Sequence, residues 1–90
     1  MTRKGWNLEV TRPLKWVRSP KGDARGVERL DAVVEKAVGV RCWASGAGFG
    51  GRDMSFDLPD HDAAVAAGMR AKQALAALGI ECEFEVWEDT

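Results

Sequence analysis

Histidine, cysteine and tyrosine are scarce in this sequence, which limits the chemistry that it can carry. Among 90 residues there are one histidine, two cysteines and no tyrosine. The single histidine, His61, has no second histidine with which to complete a metal-ligand set. Cys42 and Cys82 lie far apart, without the local spacing of a metal motif, and we expect both to be reduced thiols in the core. The composition therefore favours no metal, no cofactor and no catalytic site.

Long apolar runs are also missing. No run approaches the ~20 residues that a helix needs to cross a bilayer. The first residues, M-T-R-K-G-W-N, are positively charged, but no apolar segment follows them, so a secretory signal is not expected. We therefore expect no membrane contact and a cytoplasmic location.

Length and composition predict one folded domain over residues 1–90, in which residues 1–5 need not be ordered. Hydrophobic residues make up 46% of the chain and charged residues 30%, which are ordinary values for a globular domain. The net charge is −1, but residues 1–29 carry eight basic and three acidic side chains, whereas the rest carries five basic and eleven acidic ones. Such asymmetry is typical of a polyanion-binding arm or of charges that pair within one fold, and the second interpretation is favoured.

Two stretches alternate between apolar and polar residues, as strands with one buried face do. The clearer one runs from Ile80 to Trp87 and predicts a final strand. The other runs from Trp6 to Trp16 with a break at Arg12-Pro13, because proline has no donor for a sheet, and it fits one bent strand or two short ones. In the final strand, Ile80, Cys82, Phe84 and Val86 are predicted to face the core, and Glu81, Glu83, Glu85 and Trp87 the opposite side.

Two segments have the three- and four-residue apolar spacing of amphipathic helices. The first is predicted over 24–38, with Asp23 as its N-cap and Gly39 as its left-handed stop. The second is predicted over 61–78, capped by Asp60 or Asp62, and close packing would explain Gly68 in its middle. The inward stripes are Val27, Leu30, Val34 and Val38 in the first helix and Ala64, Gly68, Ala71, Leu75 and Leu78 in the second, whereas Glu28, Arg29, Asp31, Glu35 and Lys36 are placed on the outer side of the first.

Between the helices, two short alternating segments predict a hairpin. Its strands are predicted over 40–45 and 52–58, joined by the glycine-rich loop G-A-G-F-G-G. The loop satisfies the G-x-G-x-x-G pattern, but a strand rather than a helix follows it, so a dinucleotide site is not expected. Val40, Cys42 and Ala44 are predicted to face the core, and Arg41, Trp43 and Ser45 the other side.

The order strand, helix, strand, strand, helix, strand predicts an α+β fold, the ferredoxin-like split βαβ two-layer sandwich. Right-handed crossovers give an antiparallel sheet of order 4-1-3-2 with both helices on one face. The other face, which we name the open face, is left without a helical cover. We expect it to carry Lys15, Arg41, Trp43, Asp53, Ser55, Glu81, Glu83, Glu85 and Trp87.

RNA-recognition motifs have the same element order, but the residues that bind RNA there are missing from this sequence. When the third-strand consensus is aligned on Gly48-Phe49-Gly50, its further aromatic positions fall on Gly51 and Met54. The glutamates of the open face would also repel a phosphate backbone. Asp60-His61-Asp62 is interpreted as a helix N-terminus, where acids are favoured, and not as a metal or acid–base site.

Trp43 and Trp87 are the strongest functional signal, because an exposed indole is costly unless a partner covers it. The alternative is that each indole lies flat over neighbouring side chains such as that of Arg41. We expect a non-enzymatic protein-interaction module, a regulator or inhibitor, that binds another protein or a second copy as a homodimer through its open face or an edge strand. The alternative function is nucleic-acid association through the basic N-terminal third. The residues predicted to bind the partner are Arg41, Trp43, Phe49, Glu81, Glu83, Glu85 and Trp87.

Overall fold

The alternating segments form strands and the amphipathic segments form helices. The computed structural model describes residues 5–13, 24–48 and 51–89. None of the helices in these ranges is long and apolar enough to cross a membrane. The elements are, in chain order, β1 (Gly5–Pro13), α1 (Ala24–Val38), β2 (Ala44–Gly48), β3 (Gly51–Leu58), α2 (His61–Ala76) and β4 (Glu83–Asp89).

The strands form one antiparallel sheet in the order β2-β3-β1-β4. β1 is central and pairs with both β3 and β4, so β2 and β4 are the two outer strands. This is the predicted order 4-1-3-2, and the predicted α+β two-layer sandwich of the ferredoxin-like type is confirmed.

The core lies between the sheet and the two helices. α1 and α2 pack side by side, and α2 lies across β1, β3 and β4. The even positions of β1 point into this core, as the alternation predicts. Ala67 belongs to the core as well, which widens the predicted stripe of α2. The most deeply buried apolar residues are Leu8, Val10, Val34, Met54, Phe56, Ala64, Ala67, Ala71 and Leu75.

Both helices begin at their predicted residues. α1 also ends as predicted, and Gly39 follows it with a φ of 93°, a conformation that residues with a side chain avoid. Of the two predicted caps of α2, Asp60 is the one used. Its carboxylate accepts a hydrogen bond from the Ala63 amide at 2.7 Å.

The end of α2 differs from its prediction. The helix ends at Ala76, because the amide of Ile80 bonds back to the Leu75 carbonyl at 2.9 Å and the amide of Gly79 to the Ala76 carbonyl. These two bonds close the helix in the arrangement that a left-handed residue at position 79 permits. Leu78 is therefore 52% exposed, and its predicted place on the inward stripe is wrong.

β2 begins later than predicted. It covers Ala44–Gly48 rather than 40–45, and Val40 is exposed instead of facing the core. The Glu35 carboxylate accepts a hydrogen bond from the Cys42 amide at 2.9 Å. This bond holds the residues after α1 near that helix, so they reach the sheet only at Ala44. The prediction that Glu35 lies on the outer side of α1 is therefore also wrong.

The later start reverses the facing of β2. Ala44 pairs with Ser55, and Ser45 pairs with Met54. Residues that pair directly share a face of the sheet. Ala44 therefore lies on the open face and Ser45 on the helix face, which is the opposite of the prediction.

β4 is also displaced from its predicted position. It covers Glu83–Asp89 rather than 80–87. Ile80 and Cys82 are buried as predicted, at 5% exposure each, but they precede the paired part of the strand. Phe84 and Val86 are half-buried against the core, because an outer strand is only partly covered by α2.

Some predictions concern residues outside the described ranges. They are the continuation of the first strand to Trp16, the cap at Asp23, the place of Lys15 on the open face, the role of Phe49 and the order of the first residues.

Gly68 packs directly against the ring of Phe84, which confirms the predicted close approach of α2 to the sheet. A Cβ at position 68 would lie 2.7 Å from Phe84 Cγ and closer still to the ring edge. Real Cβ atoms do not approach other atoms this closely, so the ring would have to move. Glycine is therefore required here by packing and not by backbone conformation.

We expect Gly68→Ala to destabilise the protein by about 1–3 kcal/mol, because displacing the Phe84 ring outweighs the gain of about 1 kcal/mol in helix propensity. Urea unfolding measures the change. Adding Phe84→Leu should make the alanine less costly, since the smaller side chain relieves the overlap. Ala66→Gly, on the exposed side of the same helix, measures how much helix propensity alone changes the free energy of unfolding. A Gly68→Ala protein more stable than the wild type would contradict this packing.

A partly buried ion network joins α1 to the two central strands. Asp31 accepts hydrogen bonds from Arg12 of β1 at 2.6 Å and from Arg52 of β3 at 2.5 Å. Arg12 is 2% exposed, although its charge and the break at Pro13 gave no sign of burial. The helical pattern placed Asp31 on the outer side of α1, and that prediction is wrong, because the two guanidinium groups draw it towards the sheet.

The pKa of Asp31 reflects this position. Burial raises it, but hydrogen bonds and charge from Arg52 and Arg12 outweigh burial and hold the pKa below its usual value. A carboxyl group whose pKa is lowered by folding stabilises the folded state, and this contribution is fully present at pH values above the pKa of the group in the unfolded state. That contribution is lost as the pH falls through the folded-state pKa.

We expect Asp31→Asn to destabilise the protein by about 2–4 kcal/mol at neutral pH, because it removes the carboxylate charge that both Arg12 and Arg52 contact. Unfolding measured between pH 7 and pH 2 should show a smaller acid-induced loss of stability in the variant than in the wild type. Asp62→Asn, at an exposed position in the first turn of α2, is the charge control and should cost less than about 1 kcal/mol, because it loses only the interaction of an exposed acid with the helix N-terminus. If the free energy of unfolding depends on pH in the same way for wild type and Asp31→Asn, the ion network does not support α1.

Candidate functional site

The open face of the sheet is acidic. Because directly paired residues share a face, the register assigns the side chains of each strand to one side or the other. None of the described strand residues on the open face is basic. Its acidic members are Glu9, Asp53, Asp57, Glu83 and Glu85, and Asn7, Thr11, Ala44, Ser55 and Trp87 lie among them.

Glu9 lies at the centre of this negative charge. It is directly opposite Glu85 in the pairing of β1 with β4. Like charges in that position destabilise a sheet. Burial raises the pKa of Glu9, and the charges of Asp53 and Glu85 raise it further. The fold therefore maintains a concentration of like charge at a cost to its own stability.

Trp43 reaches the open face from the segment before β2. Its amide donates to the Ser55 carbonyl at 2.9 Å, and its indole Nε1 donates to Asn7 Oδ1 at 3.0 Å. The indole thus extends across β3 to β1. Asn7 is only 1% exposed, and its Nδ2 has no hydrogen-bond partner among the described residues. Trp43 covers this amide and still leaves 49% of its own surface exposed.

Trp87 adjoins the same asparagine from the other side. It is directly opposite Asn7 in the pairing of β1 with β4, and it is 41% exposed. Asn7 therefore has Trp43 as its hydrogen-bond donor and Trp87 as its cross-strand neighbour, at one end of the acidic face. Exposed indole rings beside carboxylates suit the aliphatic stem and the cationic head of lysine or arginine.

The predicted partner-binding residues fall into three groups. Trp43, Trp87, Glu83 and Glu85 are on the open face, where the sequence placed them. Arg41 and Glu81 are exposed, but they precede β2 and β4 and lie outside the strand pairing. Phe49 is outside the described ranges. The structure therefore brings together the indoles and the acidic strand, and their role in binding stays a prediction.

Five residues of the open face, Asn7, Glu9, Thr11, Ala44 and Asp57, are absent from the set that the sequence predicted for it. The alternation of β1 does mark Asn7 and Glu9 as its polar side. Their importance depends on the sheet order, because only the position of β1 between β3 and β4 sets Glu9 against Glu85 and Asn7 between the indoles.

The edge of β4 lies next to this face. A groove of about 500 Å³ runs between α2 and the start of β4, and a second of about 380 Å³ continues along β4 towards Glu85. Lys72 and Glu83 line both. The grooves are shallow, and they join the open face to the exposed edge of the sheet.

Other candidate chemistry in the described ranges is limited. They contain no group of three or more histidine, cysteine or acidic residues that could hold a metal ion. His61 Nδ1 lies 3.3 Å from Asp62 Oδ1, and both side chains are exposed at the start of α2. The His61 ring meets Trp6 edge-on, with 5.0 Å between ring centroids. These contacts fit the start of a helix and do not assemble a reactive site.

Cys42 and Cys82 are free thiols. They precede β2 and β4, which lie on opposite edges of the sheet. Burial raises the pKa of both thiols, and the carboxylate of Glu35 raises that of Cys42 further. Both cysteines are therefore protonated at neutral pH.

We expect both thiols to react slowly with alkylating reagents at pH 7, and faster only as the pH rises beyond the usual thiol range. Glu35→Gln should speed the alkylation of Cys42, because it removes a negative charge that raises the pKa of this thiol. Cys82 serves as the internal control. Mass spectrometry of the alkylated protein follows each site. Under denaturing, non-reducing conditions two thiols should be counted. A Cys42–Cys82 disulfide in freshly isolated protein would be incompatible with this sheet order.

Comparison with known protein families, curated proteins and solved structures gives no significant match to this chain.

Proposed function

We propose that this chain is a non-enzymatic protein-interaction module, of regulator or inhibitor type, whose acidic open face binds a basic surface of another protein. The observation that carries the proposal is the direct opposition of Glu9 and Glu85 on a face without a basic residue among its described strand positions. A lysine or arginine of a partner placed between them would relieve their repulsion. Binding would then recover the stability that the free protein lacks.

The two indoles supply the apolar part of the proposed interface. Trp43 and Trp87 are about half exposed at one end of the acidic face. Tryptophan is enriched among residues that dominate binding energy, and its ring attracts cations with about 0.5–2 kcal/mol. The same basic partner would therefore satisfy both the carboxylates and the rings.

A protein fits this face better than a nucleic acid does. Phosphates would be repelled by the carboxylates around Glu9. The alternative function needs the basic N-terminal third, but Arg12, one of its members, is buried and paired with Asp31. This pairing supports the interpretation that basic residues of that third neutralise acids within the same fold.

A second copy of the chain is a weaker candidate than a different protein. Stacking two open faces would bring carboxylates against carboxylates. A homodimer would need a basic segment of one copy to meet the acidic face of the other. Light scattering at high concentration tests this arrangement, and a monomer would exclude it.

The proposal is tested with three baits: wild type, Glu9→Gln/Glu85→Gln, and Glu88→Gln. Glu88 is exposed on the same strand but pairs with Trp6 on the helix face, so it is the matched charge control. Proteins captured from a native lysate are identified and purified, and their affinities are measured by calorimetry. We expect a basic protein that the face variant binds at least about tenfold more weakly, while the control binds like the wild type.

The Glu9→Gln/Glu85→Gln variant should bind the partner more weakly but unfold less readily than the wild type. Removing the like-charge pair should stabilise Glu9→Gln/Glu85→Gln, without a partner bound, by about 0.2–1 kcal/mol relative to the wild type, measured by urea unfolding.

The tryptophans are tested in the same way. Trp43→Ser/Trp87→Ser should also lose the partner, and Met69→Ser/Leu78→Ser, at comparably exposed positions on the helix side, should retain it. Equal affinities for wild type and face variant would refute the proposal. Tight, steeply salt-dependent binding to generic duplex DNA would favour the nucleic-acid function instead.

A further inference from the structure

β4 offers an edge to which another strand can be added. In the part of the chain that the structure describes, β4 pairs with β1 alone, so its outer side presents backbone donors and acceptors. The strand covers Glu83–Asp89, long enough to pair with an extended segment. β2, the other outer strand, is shorter and carries no charged side chain.

The surroundings of this edge differ on its two sides. On the helix side lie Ala76 and the half-buried Phe84, and Lys72 of α2 lines the second groove together with Glu9, Glu83 and Glu85. On the open-face side lie Glu83 and Glu85. A strand added at this edge projects its side chains alternately to the two sides. Its residues on the open-face side would meet carboxylates, and those on the helix side would meet the apolar wall and the lysine.

The charges also indicate what does not bind here. Pairing two copies of β4 edge to edge would bring glutamates of one copy next to glutamates of the other, which is unfavourable. Acidic residues on an edge thus prevent self-association. They do not prevent pairing with a basic segment, for which the same charges are complementary.

We propose that the outer edge of β4 binds an extended segment of a partner protein by strand addition, and that this segment has basic residues at every second position, alternating with small apolar ones. This inference rests on the proposed function and specifies how the partner is held. Main-chain hydrogen bonds to β4 give part of the affinity, and contacts of the basic side chains with Glu83 and Glu85 give the selectivity.

The probe is the peptide acetyl-Lys-Val-Lys-Thr-Lys-Val-Lys-amide, together with two isomers that are N-methylated either at the lysines or at the Val and Thr residues. In an added strand, alternate amides point towards β4 and the others point away. We therefore expect one isomer to bind at least about tenfold more weakly than the parent and the other to bind comparably. Hydrogen exchange should show protection of alternate β4 amides when the parent peptide is bound.

A peptide of the same composition with its lysines in one block is the control for charge alone and should bind more weakly than the alternating parent. Equal binding of the parent and both methylated isomers would overturn strand addition, and so would no binding of the parent. Either result leaves the acidic-face proposal standing, because that proposal is tested separately by the affinity of the captured partner for Glu9→Gln/Glu85→Gln. Conversely, alternate protection of β4 that persists undiminished in that variant would support main-chain strand addition, but it would overturn the selectivity assigned to Glu85 and count against recognition through the acidic face.

Discussion

The central position of β1 is the constraint on which the rest of the structure depends. Because β1 pairs with β3 on one side and β4 on the other, its alternation decides which side chains of all three strands share a face. Leu8 and Val10 thereby join the core under the helices. Asn7 and Glu9, one position away, are set among tryptophans and carboxylates. One strand thus defines both the stable half of the molecule and the half that we assign to binding.

Two contacts between elements hold the helices on the core side of that sheet. Gly68 lets α2 approach until it touches the Phe84 ring, and Asp31 ties α1 to arginines on two strands. Neither contact reaches the open face. Changes to the open face can therefore alter binding without removing what supports the fold, which is why opposite effects on stability and affinity are expected there.

The proposed binding surface is a consequence of covering only one side of a four-stranded sheet. Both helices lie on the same face, so within residues 5–13, 24–48 and 51–89 no helix covers the other face and no strand pairs with the outer edge of β4. Glutamates on that strand are compatible with solvent and prevent self-pairing. The opposition of Glu9 and Glu85 goes further than solubility requires, because it places like charges together at a cost to stability. Such a cost is expected where a surface serves a partner rather than the fold.

The sequence by itself determined the element order, the bounds of α1, the start of α2 and the sheet order, because periodicity, caps and crossover handedness are local or nearly local rules. It also identified Trp43 and Trp87 as exposed. Only the tertiary structure decided the burial of Arg12, the inward turn of Asp31, the late start and reversed facing of β2, and the pairing of Glu9 with Glu85. Each of these depends on a partner that lies outside the same helix or strand: Asp31 meets Arg52, the Cys42 amide meets the Glu35 carboxylate after the chain has turned, and Glu9 meets Glu85 across the sheet. Periodicity contains no information on such partners, because it records which side of an element is apolar and not what lies opposite.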